Sequence, residues 1–293
     1  MEAAFIRVIN KSPVLTELKG ITKLIGLNRL VVSIMDRMQT RERRNSSRQY
    51  KEIYNSHGDE IKTVINMLAD EKSKNVLRSL IKYRQTLDRK NLKGIMDTKN
   101  QYLPQADGVT LFPLRDEVLV DCGAYTGDTI KIFLKKVRMD IKAVVAFEPD
   151  RDSFTKLVAT CKKKISEIDV KLYNCGVSDS NGKAYFYNGR GSQSRFSSKE
   201  KGAVFVQTMT IDSVPECENA TFIKMDVEGA ELAALRGARE VICNNKPKLA
   251  ISIYHKPEDY WTIPMYISEL NPEYTFYIRH HSYQGIETVL YAI

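Results

Sequence analysis

No apolar run in the chain approaches the roughly 18 residues of a membrane-spanning helix. Leu30 to Met35 is apolar, but Lys11, Lys19, Lys23 and Arg29 break up the region before it. A signal-peptide pattern is also lacking, so a soluble protein is expected. The five cysteines, Cys122, Cys161, Cys175, Cys217 and Cys243, include no CxxC pair and are odd in number. That excludes a disulfide framework or a cysteine zinc site as the expectation, and a cytoplasmic setting suits free thiols. Cys122 and Cys175 fall in apolar runs, where a thiol is a small buried hydrophobe. Internal repeats and low-complexity segments are missing too. So is a full G-x-G-x-x-G, because Ala124 stands where the second glycine belongs, and no Tyr-x-x-x-Lys pair accompanies it. Both absences weigh against an NAD-dependent sugar oxidoreductase.

What is present divides in two. The net charge is +9, yet residues 1–110 hold 21 Lys and Arg against 12 Asp and Glu, whereas 111–293 hold 24 of each. The basic excess is N-terminal and can steer an acidic or phosphorylated partner, or be no more than a solvated helix face. Arg41, Arg43, Arg44 and Arg48 around Asn45-Ser46-Ser47 read as an exposed joint. Ile61, Val64, Ile65 and Leu68, then Val76, Leu77, Leu80 and Ile81, recur at helical spacing, with Ser56, Asp59 and Ser73 as candidate caps. We therefore read 1–110 as a helical N-terminal extension that covers a cleft formed by 111–293.

From Val118 onward apolar runs alternate with helical stretches, and two final runs, Tyr274 to Ile278 and Thr288 to Tyr291, follow each other without a helix. This pattern is α/β: a Rossmann-like, mostly parallel sheet closed by an antiparallel strand. Ligands of such sheets lie beyond the carboxyl ends of the strands, so the polar residues after each run matter most. Asp121-Cys122-Gly123-Ala124-Tyr125-Thr126-Gly127 follows the first run and can bring backbone N–H groups close to a ligand. Glu148 ends the next run, 21 residues after Gly127, where a carboxylate can accept both hydroxyls of a ribose. Asp226 and Glu228 end a later run; two acids there can orient an amine, hold a cation or take a proton, while helix capping would explain one of them.

Three of the four histidines follow late runs: His255 after Ile251 to Tyr254, and His280-His281 after Phe276 to Ile278. Beside Asp226 they suit a general base or a divalent-metal site. Tyr125, Tyr254, Tyr260 and Trp261 could stack on a base, but no nucleic-acid recognition pattern goes with them.

Over 118–293 the chain resembles the FkbM-type methyltransferases. The resemblance rests on Val120 to Ala124 with Gly127, on Phe147-Glu148-Pro149, on Asn174 to Asp179, and on Phe222 to Glu231 with Leu235 and Gly237. It implies a class I methyltransferase fold and methyl transfer from S-adenosyl-L-methionine to hydroxyls of sugars or natural products. It also implies Asp121, Gly123, Ala124 and Gly127 at the methionine end of the cofactor, Glu148 at the ribose, Ser178 and Asp179 near the adenine, and Asp226 beside the methyl. No Asp/Asn-Pro-Pro-Tyr string is present, which argues against amide and nucleobase N-methylation. Because a hydroxyl must lose its proton during attack, we expect neutral His255 as base, with Asp226 orienting donor or metal and His281 as the alternate. A cofactor-binding module without catalysis is the alternative reading.

Overall fold

The computed structural model describes residues 45–97, 101–102, 105–106, 109–110, 116–137, 141–164, 168–187, 195–196 and 203–293. Helices α1 (45–56), α2 (Gly58–Met67) and α3 (Glu71–Thr86) come first. The central sheet contains β1 (Glu117–Cys122), β2 (Ile141–Phe147), β3 (Asp169–Tyr173), β8 (Phe222–Met225), β9 (Lys248–Ser252), β10 (Phe276–His280) and β11 (Thr288–Ala292). Its seven strands lie in the order β10-β11-β9-β8-β1-β2-β3. Every pairing from β9 to β3 is parallel, and β11 runs antiparallel between β9 and β10. This is the mixed α/β architecture expected from the alternation of runs.

Both faces of the sheet are covered, which is why its strands read as continuous apolar runs. Leu119, Val144 and Phe222 share one buried cluster with Ile130, Phe133 and Leu157 of α4 (Asp128–Val137) and α5 (Arg151–Lys164). Val120, Val145 and Ile223 point the other way, into a cluster with Leu235 of α6 (Glu231–Arg236), Ile242 of α7 (Arg239–Asn245) and Ile263 of α8 (Asp259–Leu270). The period-two alternation of strand side chains sorts the residues between the faces.

The N-terminal helices belong to that second cluster through Tyr54, Val64, Val76, Leu77 and Leu80, so the hairpin and the sheet share one core. They flank the sheet at β10 and α8. Leu68 and Met96 form parallel bridges to Phe276 and His280, and the Ala69 and Asp97 N–H groups donate to the same two carbonyls. An edge strand with open N–H and C=O groups is thereby paired. Among the described residues before β1, Gln101 and Tyr102 line the cleft, and residues 1–44 of the expected cover lie outside the described residues.

Three local readings also change. Asn45 to Ser47 belong to α1; Arg41, Arg43 and Arg44 of the expected joint lie outside the described residues. No side chain caps α2, and the Ser56 hydroxyl donates to Ile53 O inside α1 instead. The cap of α3 is Asp70, whose carboxylate accepts from the Ser73 N–H at 2.7 Å. Ser73 itself sits buried in the first turn, and its hydroxyl accepts from Ile278 N and Arg279 Nη1.

The stretch between β3 and β8 builds a further sheet. Its strands are β4 (Gly176–Val177), β5 (Gly182–Tyr187), β6 (Arg195–Phe196) and β7 (Ala203–Met209), in the order β4-β7-β5-β6. No helix of the described residues is long and apolar enough to cross a membrane.

Candidate functional site

The carboxyl ends of β1, β2 and β8 open into a cleft of about 300 Å³. At its floor Lys224 and Asp121, register partners on β8 and β1, form an ion pair at 3.0 Å with both side chains nearly solvent-free. Lys224 Nζ also donates to Gly123 O at 2.8 Å. Burial pushes the Asp121 carboxyl up and Lys224 opposes it; the lysine, surrounded by negative charge, is held protonated despite its burial. Asp121 thus braces the glycine turn from below and does not line the cleft. Asp121 is the fifth residue of β1 and Lys224 the third of β8, and a lysine inside a buried strand is the visible cue to their pairing.

Gly123 sits at φ +76°, and a Cβ there would lie 1.9 Å from the Asp226 carbonyl oxygen. Only glycine lets the ends of β1 and β8 cross this closely. The Gly123 and Ala124 N–H groups both donate to Phe147 O, and both residues line the cleft. Gly127, at φ +82°, faces Leu157 and Thr160 of α5, so its small size serves helix packing.

Glu148 lines the cleft with 6% of its surface exposed. The Tyr125 N–H donates to one carboxylate oxygen and the Asp150 N–H to the other, each at 2.8 Å, leaving further lone pairs toward the cleft. Burial raises its pKa to about 7 against the pull of those two N–H donors. Beyond it Cys175, Gly176, Val177 and Phe186 make a flat, mostly apolar wall, with Ile132 also lining the cleft. Ser178 and Asp179 fall just past this wall: the Ser178 N–H is tied to Met209 O, and Asp179 is exposed.

An acidic group closes the other end. Asp226 and Glu228 line the cleft, and Glu287 joins them with its carboxylate accepting from Gln101 Nε2 at 2.7 Å. Neither Asp226 nor Glu228 caps α6. Glu231 does related work: it is fully buried and one oxygen accepts from the Val227 N–H at 2.9 Å. His255, at the end of β9, has Nδ1 at 2.9 Å from Glu231 Oε1 and Nε2 at 3.5 Å from Glu228 and 3.6 Å from Asp226. Tyr254 Oη donates to Asp226 at 3.2 Å.

These neighbours set the charge of His255. Burial alone would lower its pKa, but the charges of Glu231, Asp226 and Glu228 outweigh burial and raise it to about 10. Without a competing cation the ring is charged at neutral pH and offers no lone pair to an incoming proton. Glu228, in contrast, is pushed up to about 7 by burial. His281 is elsewhere: it is buried, with Nδ1 against Asp97 O and Nε2 at 2.9 Å from the Tyr291 hydroxyl, and it does not line the cleft. Its strand ends on the cleft side of the sheet, but β11 lies between β10 and β9. His280 is likewise spent on Thr288.

Sequence reasoning passed over Tyr102, Phe186, Gln101 and Glu287. Glu231 had a visible signal, an acid three residues after Glu228 in the same string; Phe186 lies on β5, and Gln101, Tyr102 and Glu287 come from segments outside the strands and helices.

Comparison with known proteins bears on this arrangement. The family described as Methyltransferase FkbM domain matches residues 121–284, which takes in the ends of β1, β2, β8 and β9. Among solved structures, the chain is similar to methyltransferase FkbM from Methylobacillus flagellatus KT, at 26% identity and a TM-score of 0.70. That likeness covers 83% of this chain but 60% of the other. A fainter likeness, at 13% identity and a TM-score of 0.38, is to fibrillarin from Aeropyrum pernix with natively bound S-adenosyl-L-methionine, over 64% of this chain and 70% of that one. A search among curated proteins gives no match.

Proposed function

The chain belongs to the FkbM methyltransferase family, and from that premise we propose that it transfers a methyl group from S-adenosyl-L-methionine to a hydroxyl of a small-molecule or glycan acceptor, with or without a phosphate. The observation that carries the reading is Glu148. A buried carboxylate, fixed by two backbone N–H groups and facing a cleft, is a ready acceptor for a vicinal ribose diol. Around it the cleft changes character in the order that this cofactor requires. The wall of Cys175, Val177 and Phe186 fits a flat heterocycle, Glu148 the ribose, and the Gly123 turn with Asp226 the amino-acid end. Ser178 and Asp179 contribute at the adenine end only by holding that wall in place.

Bound there, S-adenosyl-L-methionine supplies an electrophilic methyl group on a sulfonium. The chain's part is to position and to take a proton. The glycine crossing holds Asp226 against the end of β1, and the Tyr254 hydroxyl fixes the Asp226 carboxylate. An acceptor oxygen aligned at this end forms its bond to the methyl carbon as the carbon–sulfur bond breaks, and positioning accounts for much of the rate. The acceptor's proton passes to a carboxylate of the acidic end. Glu228 and Asp226 are suited to this by their partial exposure to the cleft, at 33% and 23% of their side chains.

The test is incubation of the full chain with methyl-labelled S-adenosyl-L-methionine and a panel of glycans, nucleotide sugars and polyhydroxylated small molecules. Label recovered as an alkali-stable methyl ether is the expected result. Label found only as an ester or on nitrogen would contradict O-methylation and leave cofactor binding standing.

A further inference from the structure

We infer that Asp226, Glu231 and His255 hold a divalent cation at the acidic end of the cleft. One ligand atom from each lies within 4.8 Å of the others. Ligands about 2.0–2.2 Å from one ion stand roughly 3 Å apart when adjacent and just over 4 Å when opposite, so small side-chain rotations would bring the three onto one ion. Two of the three side chains also carry unpartnered buried atoms. Glu231 is solvent-free and its Oε2 has no hydrogen-bond partner; neither ring nitrogen of His255, a side chain 9% exposed, makes an aligned hydrogen bond. The 2.9 Å approach of Nδ1 to Glu231 Oε1 lacks hydrogen-bond alignment, as two ligands turned toward a third body would. Buried polar groups without partners are rare in folded proteins, and an ion held by Glu231 and one ring nitrogen of His255 would account for two of these atoms at once.

Charge points the same way. Asp226, Glu228, Glu231 and Glu287 crowd this end, and Lys224, the lysine lining the cleft, is already paired with Asp121. A divalent ion offsets that excess. One imidazole with carboxylates suits Mn²⁺ or Zn²⁺ and makes an all-oxygen calcium site a poor match. The ligands stand on adjacent rigid elements, the end of β8, the start of α6 and the end of β9, with Met225 and Ile251 in register. The open side of the ion faces the cleft past Asp226. On the methyl-transfer reading, on which this role rests, the ion would bind the acceptor hydroxyl and make it easier to deprotonate.

The test uses the full chain, treated with chelator, dialysed and titrated with MnCl₂ by calorimetry and by loss of the free-ion paramagnetic resonance signal. One Mn²⁺ per chain is expected. Asp226→Asn and His255→Asn should each weaken it by more than the roughly 10–100-fold that loss of an outer-sphere partner costs. Glu258→Gln, at an exposed position nearby, should leave it unchanged. Circular dichroism of each variant separates lost binding from lost folding. Absence of Mn²⁺ binding, or binding that survives in folded Asp226→Asn and His255→Asn, would overturn the site. Titrating the same metal-free protein with S-adenosylhomocysteine reads the function separately. Binding of that ligand without Mn²⁺ removes the ion and keeps the methyltransferase reading, and Mn²⁺ binding alone does the reverse.

Discussion

Glu148 ties the cofactor reading to one carboxylate. Glu148→Ala removes the charged acceptor of the ribose hydroxyls, a loss of about 1.5–3 kcal/mol. S-adenosylhomocysteine should then bind about 10- to 150-fold more weakly by calorimetry, and wild-type affinity would take Glu148 out of the site. Its pKa adds a second check. In the free protein burial raises it to about 7; ribose hydroxyls donate to the ionised form, so the bound pKa is lower and binding releases a proton below about pH 7. Affinity should rise by up to about tenfold from pH 6 to pH 8 and stay flat in Glu148→Ala. A rise of the same size in the variant would assign the effect to another group. Gly123 gives a third. An alanine there meets Asp226 O at 1.9 Å and must also hold φ +76°, so Gly123→Ala should lower stability by more than ~1 kcal/mol in urea titration and abolish cofactor binding. An unchanged midpoint would show that the β1–β8 crossing yields easily. Glu148 and Gly123 were legible because strand-end chemistry recurs at fixed spacing. His255 was legible as a position, but its charge was not, since that is set by Glu231, Asp226 and Glu228 arriving from other elements.

Among the elements, the N-terminal hairpin is the one whose placement decides stability. Arg279 on β10 is solvent-free, and Asp70, the α3 cap, takes its guanidinium with Nη2 at 2.6 Å. Burial would raise the Asp70 pKa, yet hydrogen bonds from Arg279 and Ser73 hold it below the usual carboxylate range. Asp70→Ala removes the cap and strands a buried cation, so about 3–5 kcal/mol of stability should disappear in a denaturant titration. A change under 1 kcal/mol would mean that β10 does not depend on the hairpin. Arg84 of α3 reaches further: its guanidinium packs over the Tyr260 ring and donates to Tyr54 Oη and to the carbonyl of Tyr254, the residue before His255. The periodicity of α2 and α3 and the continuous runs of the central strands were readable because one face of each helix, and both faces of each strand, are apolar. The small sheet was not. Gly182–Tyr187 and Ala203–Met209 pair across a long intervening segment, and that pairing leaves Phe205 exposed, so neither strand shows clean alternation.

At the scale of the whole molecule, one continuous core runs from the hairpin through β8, β9 and β10, and the cleft opens where the chain crosses from apolar wall to acidic end. The described helices of the extension therefore flank the sheet and, through Arg84, hold the turn before His255, and the proposed chemistry lies at the ends of β1, β2, β8 and β9. A methyl-donor cleft, as proposed, and a nicotinamide site can both begin at such a glycine turn. Parallel calorimetric titration of the full chain with S-adenosylhomocysteine and with NAD separates them. The expected result is one S-adenosylhomocysteine site per chain and no NAD binding; saturable NAD binding with none of S-adenosylhomocysteine would contradict the account.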